Sequence, residues 1–140
     1  MKTGARILVV DDEVNIRNAL VTMLDKRGYR VEGVGTGEEA LVSLDATEAD
    51  VVVTDLKMPG MGGMEFLRRL KDAWAQTEVI VMTAYGAVET AVEAMRLGAY
   101  DYVTKPIDRE RFLVVIEKAL DRRALALENR CLRERLETRT

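Results

Sequence analysis

The chain alternates between short apolar runs and longer stretches in which apolar residues recur every three or four positions. The short runs predict five strands, at residues 6–10, 30–34, 51–55, 79–83 and 100–104. The first, third and fourth are apolar throughout, which is typical of parallel strands that are covered on both faces. Parallel strands need long crossover connections, so each intervening segment is expected to hold a helix.

These intervening segments have the period of helices. Each carries apolar residues that share one helix face: Ile16, Leu20, Met23 and Leu24; Ala40, Leu41 and Leu44; Met64, Leu67 and Leu70; Val88, Ala91, Val92 and Met95. Gly28 and Gly98 are expected to end the first and last of these helices, and residues 36–39 have the form of a capping box. The pattern predicts an α/β fold: a doubly wound five-stranded parallel sheet with right-handed crossovers. If the strand order is the flavodoxin-like one, 2-1-3-4-5, the first and third strands are neighbours.

The C-terminal part predicts one extended helix. Residues 109–136 contain neither glycine nor proline, and Asp108 can cap the amino end of this helix. Its first turns should pack on the sheet through Phe112, Val115, Ile116 and Ala119. We therefore divide the chain into a domain, residues 1–120, and a helical linker, residues 121–140.

The linker has the spacing of a short coiled coil. Apolar or amide side chains occupy positions separated by four, three and four residues: Leu125, Asn129, Leu132 and Leu136. A single Asn at an a position favours a two-stranded pairing, so this segment predicts a homodimer. Fewer than three heptads are present, and a solvated linker is the alternative interpretation.

Composition and charge exclude several classes of function. The chain has 140 residues and a net charge of -3, which gives no general attraction to nucleic acid or to anionic membranes. No apolar run is long enough to cross a membrane, and the single cysteine, Cys131, suits a reducing compartment, so we expect a cytoplasmic location. Histidine is absent, which excludes a Ser/His triad, imidazole ligation of zinc and the role of histidine donor in a phosphorelay.

Three carboxylates follow two of the predicted strands. Asp11 and Asp12 come at the end of the first strand, and Asp55 ends the third. Ligands of open α/β sheets gather at the carboxyl ends of the strands, where these two strands would be neighbours. Carboxylates that meet repel one another unless a cation joins them, and Mg2+ is the cation that oxygen ligands suit. The simpler interpretation is that Asp11 and Asp12 only cap a helix.

Two further strand ends carry groups that suit a phosphoryl group. Thr83 ends the fourth strand, and Lys105 follows the fifth. A hydroxyl, an ammonium and an acidic metal site at one edge can together hold phosphoryl oxygens, while a carboxylate attacks phosphorus.

The motifs "VVDDE", "VVTDLKMPGMGG", "VMTAYG" and "YVTKPI" resemble those of bacterial two-component response-regulator receiver domains, over residues 7–120. The resemblance implies that Asp55 is the phosphoacceptor for a sensor histidine kinase. It implies that Asp12 binds Mg2+ directly, that Asp11 binds it through water, and that the backbone carbonyl of Lys57 completes the ligands. Lys105 would pair with the phosphoryl oxygens.

The same resemblance implies a switch. Thr83 would move towards the phosphoryl group, and the ring of Tyr102 would turn into the space that it leaves. The peptide bond between Lys105 and Pro106 is expected to be cis. The protein would not be an enzyme for another substrate: it would catalyse only its own phosphorylation and slow dephosphorylation, at a rate that Lys57 and Tyr85 are expected to tune.

Residues 82–108 are similar, more narrowly, to receivers of the nitrogen-regulation (NtrC-like) and dicarboxylate-transport group. In that group the receiver controls an AAA+ ATPase that acts on polymerase with the enhancer-dependent sigma factor, and a DNA-binding domain follows. The sequence has neither a Walker-type loop nor a helix-turn-helix, and direct nucleic acid binding is not expected. We expect a fragment of such a regulator, with a free-standing receiver as the alternative.

Other functions are less consistent with the residues. Gly35, Gly37 and Ala40 have the spacing of a dinucleotide fingerprint, but Glu38 and Glu39 occupy the helix start where a pyrophosphate would bind. Flavin mononucleotide binding is disfavoured because the first strand leads into acids. An aspartyl-nucleophile phosphatase of the haloacid-dehalogenase-like class typically has a second Asp two positions after the first, where Lys57 stands here.

Overall fold

A parallel sheet forms the centre of the protein in the structure, a computed structural model that describes residues 4–58, 60–84 and 87–138. Within these residues the elements are β1 (Arg6–Val10), α1 (Val14–Asp25), β2 (Arg30–Val34), α2 (Gly37–Ala46), β3 (Val51–Asp55), α3 (Gly63–Ala73), β4 (Glu78–Ala84), α4 (Val88–Arg96), β5 (Asp101–Lys105) and α5 (Arg109–Thr138). All strand pairs are parallel, in the order β2-β1-β3-β4-β5. The predicted fold class and strand order are confirmed.

The sheet separates two apolar cores. Successive residues of β1 alternate between them, with Ile7 and Val9 in one core and Leu8 and Val10 in the other. Helices α1 and α5 cover the first face, and α2, α3 and α4 cover the second. Because both faces are covered, β1, β3 and β4 are buried almost throughout, which explains their continuous apolar sequences.

The helix ends follow the predicted signals. The Thr36 side chain accepts a hydrogen bond from the backbone N–H of Glu39 at 3.1 Å, and Asp108 accepts from the N–H of Glu110 at 3.0 Å. Gly28 and Gly98 have φ angles of 90° and 107°, which side chains rarely adopt. Both predicted caps and both predicted stops are therefore present.

The apolar stripe that identifies α4 is mostly on the outside. Val88, Val92 and Met95 are 68%, 46% and 41% exposed, while Ala91 and Ala94 are buried against the sheet. The helix is present as its period predicts, but small residues rather than the larger apolar ones make its contact with the core.

Helix α5 is continuous and extends beyond the sheet. Its first turns pack into the core, as predicted, and ion pairs then hold it to the edge formed by the amino ends of the strands. Arg122 Nε lies 3.1 Å from Glu78 Oε2, and the buried Arg123 lies 2.7 Å from Asp50 Oδ1 and 3.4 Å from Glu48 Oε1. These pairs lie beyond residue 120, so contact with the domain continues to Arg123. No helix in the described ranges is long and apolar enough to cross a membrane.

Candidate functional site

Three carboxylates meet at the carboxyl ends of β1 and β3. Val10 pairs with Thr54 across these adjacent strands, so the residues that follow, Asp11 and Asp55, come together. Carboxylate oxygens of Asp11, Asp12 and Asp55 lie within 4.8 Å of one another. Asp11 and Asp55 are buried and Asp12 is exposed, so the cluster is open to solvent on one side.

Asp11 is the most constrained member of this cluster. Its Oδ1 accepts a hydrogen bond from the backbone N–H of Glu13 at 2.9 Å, whereas its buried Oδ2 has no hydrogen-bond partner among the described residues. Burial raises the pKa of Asp11; the Glu13 hydrogen bond and the Lys105 charge oppose this, and the charges of Asp55 and Asp12 add to it. A buried carboxylate oxygen that accepts no hydrogen bond, beside two other carboxylates, fits a bound cation.

Lys105 closes the other side of the cluster. Its Nζ lies 2.7 Å from Asp55 Oδ2 and 3.6 Å from Asp11 Oδ2, and its peptide bond to Pro106 is cis. Burial acts to lower the pKa of Lys105, but the hydrogen bond and charge of Asp55, together with the charge of Asp11, outweigh burial and raise it. The ammonium is therefore held in its charged form beside the carboxylates.

Asp55 faces a cleft of about 100 Å³. Its Oδ1 accepts a hydrogen bond from the backbone N–H of Lys57 at 3.1 Å, and the buried Thr83 lies on the same cleft. The remaining lining includes Leu56, Met82, Ala84, Ala87, Thr90 and Lys105. An ammonium, a hydroxyl and a carboxylate thus border one small open space.

Tyr102 stands apart from this cleft. The residue is 37% exposed, and it lines a cavity of about 70 Å³ together with Thr83 and Ala91.

The loop after Asp55 is shaped by a close backbone approach. A Cβ on Gly63 would lie 2.4 Å from Leu56 Cα and 2.7 Å from the carbonyl oxygen of Asp55, distances that no side chain tolerates. The Gly63 N–H donates to the Leu56 carbonyl at 3.2 Å. Glycine at this position lets α3 begin directly against the end of β3, which fixes the backbone around Lys57.

The structure brings together Asp11, Asp12, Asp55, Thr83 and Lys105, and it places the backbone of Lys57 beside them. Tyr85 lies outside the described residues. The linker positions Leu125, Asn129, Leu132 and Leu136 are exposed on the far part of α5, away from this site.

One residue at the site was missed by sequence reasoning. Arg17 Nη1 donates a hydrogen bond of 3.0 Å to the backbone carbonyl of Asp11. Arg17 follows Asp11 by six residues, and in the sequence nothing distinguishes it from an ordinary solvated arginine on a helix. The sequence signal is a pair of glycines, Gly33 in the predicted second strand and Gly35 just after it, whose relation to Arg17 requires the fold.

Comparison with known proteins defines the class to which this fold and site belong. Residues 7–117 match the model of the response regulator receiver domain, and the chain belongs to this family. It is the receiver domain of a two-component response regulator, a domain that interacts with histidine kinases.

Individual relatives show which response regulators the chain resembles. The chain is 41% identical over 133 residues to the regulatory protein AtoC of Escherichia coli, covering 95% of this chain and 29% of that protein. It is 40% identical to the C4-dicarboxylate transport transcriptional regulatory protein DctD of Pseudomonas aeruginosa, covering 91% and 28%. The crystal structure of NtrX from Brucella abortus superposes with a TM-score of 0.89 at 32% identity, covering 93% and 30%.

These relatives confirm the predicted similarity to the nitrogen-regulation and dicarboxylate-transport group. The chain spans less than a third of the length of each of them. A receiver domain protein from Clostridium thermocellum, by contrast, is covered over 98% of its length, with a TM-score of 0.82 at 34% identity.

Proposed function

We propose that Asp55 accepts a phosphoryl group from the phosphohistidine of a sensor kinase. One oxygen of Asp55 bonds to phosphorus while the bond between phosphorus and the histidine nitrogen breaks, which leaves an acyl phosphate. The observation that carries this proposal is the position of Asp55, which contacts the Lys105 ammonium at 2.7 Å and faces an open cleft. The chain acts on itself and is not an enzyme for another substrate.

The acidic cluster fits Mg2+ as the cofactor. Asp11, Asp12 and Asp55 would hold the ion with the backbone carbonyl of Lys57, and the unsatisfied Oδ2 of Asp11 supports this assignment. When bound, Mg2+ supplies positive charge to the phosphoryl oxygens. The remaining side chains then have separate tasks: Lys105 pairs with one phosphoryl oxygen, and the Thr83 hydroxyl donates a hydrogen bond to another.

Thr83 and Tyr102 form the proposed switch. When Thr83 moves towards the phosphoryl group, the ring of Tyr102 turns into the space that Thr83 leaves, next to the cavity of about 70 Å³ that both residues line. A local charge at Asp55 thereby changes the outer face of β5, where Tyr102 is partly exposed.

Intact mass spectrometry tests the phosphoacceptor. The protein is incubated with acetyl phosphate in Mg2+ and, separately, in EDTA. We expect one phosphoryl adduct that requires Mg2+ and is absent in Asp55→Asn. The matched control, Asp72→Asn, changes an exposed aspartate of α3 and should keep the adduct. An adduct that persists in Asp55→Asn, or no adduct on the wild type, would reject the assignment.

We propose in addition that residues 121–140 dimerise the receiver as a two-stranded coiled coil. Leu125, Leu132 and Leu136 are 59%, 47% and 64% exposed, so the seam is available to a second copy. Sedimentation at tens of micromolar tests this proposal: Leu132→Glu should give a monomer. Leu127→Glu, which lies off the seam and is also partly exposed, should not. A monomeric wild type, with and without phosphorylation, would reject the dimer.

The relatives, of which the chain covers less than a third, suggest which domains this receiver controls. We propose that in the whole protein the receiver controls an AAA+ ATPase and a DNA-binding domain that lie outside this chain. The size of the native protein in cell extracts tests this: a mass near 15.7 kDa would indicate a free-standing receiver instead.

A further inference from the structure

Arg17 crosses the carboxyl end of the edge strand β2 to reach the acidic site. It lies in the first turns of α1, and its Nη1 donates a hydrogen bond of 3.0 Å to the backbone carbonyl of Asp11. Helix α1 lies against β1 and β2, so the side chain passes over β2 on its way to this carbonyl.

Two glycines make room for the arginine. A Cβ on Gly33 would lie 3.0 Å from Arg17 Cγ and 3.1 Å from Val21 Cγ2, and one on Gly35 would lie 3.1 Å from Arg17 Nη1. These distances are shorter than ordinary van der Waals contacts. Neither glycine has a positive φ angle, so the backbone does not require glycine here. Both positions lie along the path of the arginine, Gly33 in β2 and Gly35 directly after its end.

Arg17 makes one of three hydrogen bonds that hold the backbone and side chain of Asp11. The Asp11 N–H donates to the Val34 carbonyl at 3.1 Å, and Asp11 Oδ1 accepts from the Glu13 N–H at 2.9 Å. The carbonyl that Arg17 holds belongs to the planar peptide between Asp11 and Asp12. Fixing that plane limits the directions in which the exposed Asp12 carboxylate can leave the backbone.

We propose that Arg17 is a positioning residue for the cation site, and that the absence of side chains at Gly33 and Gly35 leaves room for the Arg17 side chain. It holds the peptide between Asp11 and Asp12 so that both carboxylates face Asp55 before a cation binds. This inference rests on the proposed Mg2+ site. It also gives a role to Gly35, one of the residues whose spacing superficially suggests a nucleotide-binding loop.

A purely electrostatic role for Arg17 predicts the opposite result. Removing a positive charge near three carboxylates strengthens their attraction for Mg2+. Removing a positioning contact weakens Mg2+ binding, because the ligands must then be ordered when the ion binds; the loss of a partner of a ligand residue typically costs about tenfold in metal affinity or more. The sign of the change therefore distinguishes the two roles.

The experiment measures Mg2+ binding to the unphosphorylated protein by calorimetry. We expect Arg17→Met to weaken binding by about tenfold and Arg17→Lys, which keeps a donor, to restore part of the loss. Arg30→Met removes an exposed arginine at the other end of β2 and is the control, with unchanged binding expected. Unchanged or tighter binding in Arg17→Met overturns the proposal.

Gly35→Ala tests the same contact without changing charge. The added methyl group should displace the guanidinium and weaken Mg2+ binding in the wild-type background, but it should have no further effect when Arg17→Met is already present. Equal effects in both backgrounds would mean that Gly35 acts independently of Arg17 and would overturn the role given to the glycines.

A metal-free measurement keeps this inference separate from the proposed function. In EDTA, hydrogen exchange of the Glu13 amide should become faster in Arg17→Met, while the amides of β3 should not change. If the wild type binds no Mg2+, the cation site and the inference both fail. If the wild type binds Mg2+, and Arg17→Met has the same Mg2+ affinity and the same hydrogen-exchange rate at the Glu13 amide, only the inference fails.

Discussion

The Lys105 ammonium contacts Asp55 Oδ2 at 2.7 Å across the end of β4, which lies between their two strands in the sheet. The ion pair thus joins strands that share no backbone hydrogen bonds. It also places a permanent positive charge in the acidic cluster, where it competes with a metal ion for the same carboxylates.

Replacement of this lysine should strengthen cation binding. For Lys105→Gln we expect the unphosphorylated protein to bind Mg2+ about thirtyfold more tightly, which corresponds to ~2 kcal/mol for one unit charge about 4 Å from a divalent ion in water. The phosphoryl adduct should still form, but more slowly, since its oxygens lose a partner. Calorimetry measures the first effect, and Lys118→Gln, at an exposed position of α5, is the control. Weaker Mg2+ binding in Lys105→Gln would contradict this account.

Asp11 should make the metal-free stability depend on pH. The pKa of Asp11 in the folded protein is raised, chiefly by burial, so its ionisation lowers the stability of the fold. This loss of stability is complete above the raised pKa and absent below the ordinary value of 3.8. Asp11→Asn should therefore be more stable than the wild type at pH 7 in EDTA, and this advantage should disappear as the pH falls below 3.8. Urea unfolding across this range measures it. Asp25→Asn, at an exposed position of α1, should show no such advantage.

Gly63 should be intolerant of any side chain. In Gly63→Ala the new Cβ would lie 2.4 Å from Leu56 Cα, and the backbone must move because neither group can rotate away. We expect a loss of about 3 kcal/mol in the free energy of unfolding. Gly62→Ala is the matched control, since a Cβ there would meet nothing within 4 Å. Equal losses in the two variants would show that the close approach is not the cause.

Arg123 should contribute more to stability than other arginines of α5. Its guanidinium is buried and pairs with Asp50 at 2.7 Å and Glu48 at 3.4 Å. Arg123→Met removes the partner of Asp50 Oδ1 and the contact with Glu48, while Asp50 Oδ2 keeps its hydrogen bond from the Arg6 N–H, and we expect a loss of about 2 kcal/mol. Arg130→Met breaks only an exposed pair with Glu134, 3.3 Å away, and should cost less than about 0.5 kcal/mol. Urea denaturation compares the two variants.

The sheet was predictable because its signals are local. Continuous apolar runs mark β1, β3 and β4, and caps such as Thr36 and Asp108 act within three residues of their own position. The site residues were also predictable, because parallel strands carry Asp55 and Lys105 to the same edge whatever the detailed packing. Strand ends differ slightly: β4 begins and ends one residue outside the predicted range, and β5 is displaced by one.

The remaining features depend on contacts between distant segments. Periodicity identifies α4 but does not decide which of its faces meets the sheet, so the exposure of Val88 and Met95 was not foreseen. The pairing of Arg123 with Asp50 joins positions 73 residues apart, and neither position has a distinctive neighbour in the sequence. The path of Arg17 over Gly33 is of the same kind, because it becomes visible only when α1 and β2 are placed side by side.

Helix α5 begins next to the edge that holds Lys105 and is held again at the opposite edge by Arg123. Its 30 residues divide at this second point into two halves, Arg109–Arg123 on the domain and residues 124–138 beyond it. An α-helix of this length is a nearly straight rod of about 45 Å. Residues 109–123 are packed on the domain and residues 124–138 project beyond Arg123, so a small change in the direction of the packed half is carried to the projecting end as a displacement that grows with its length.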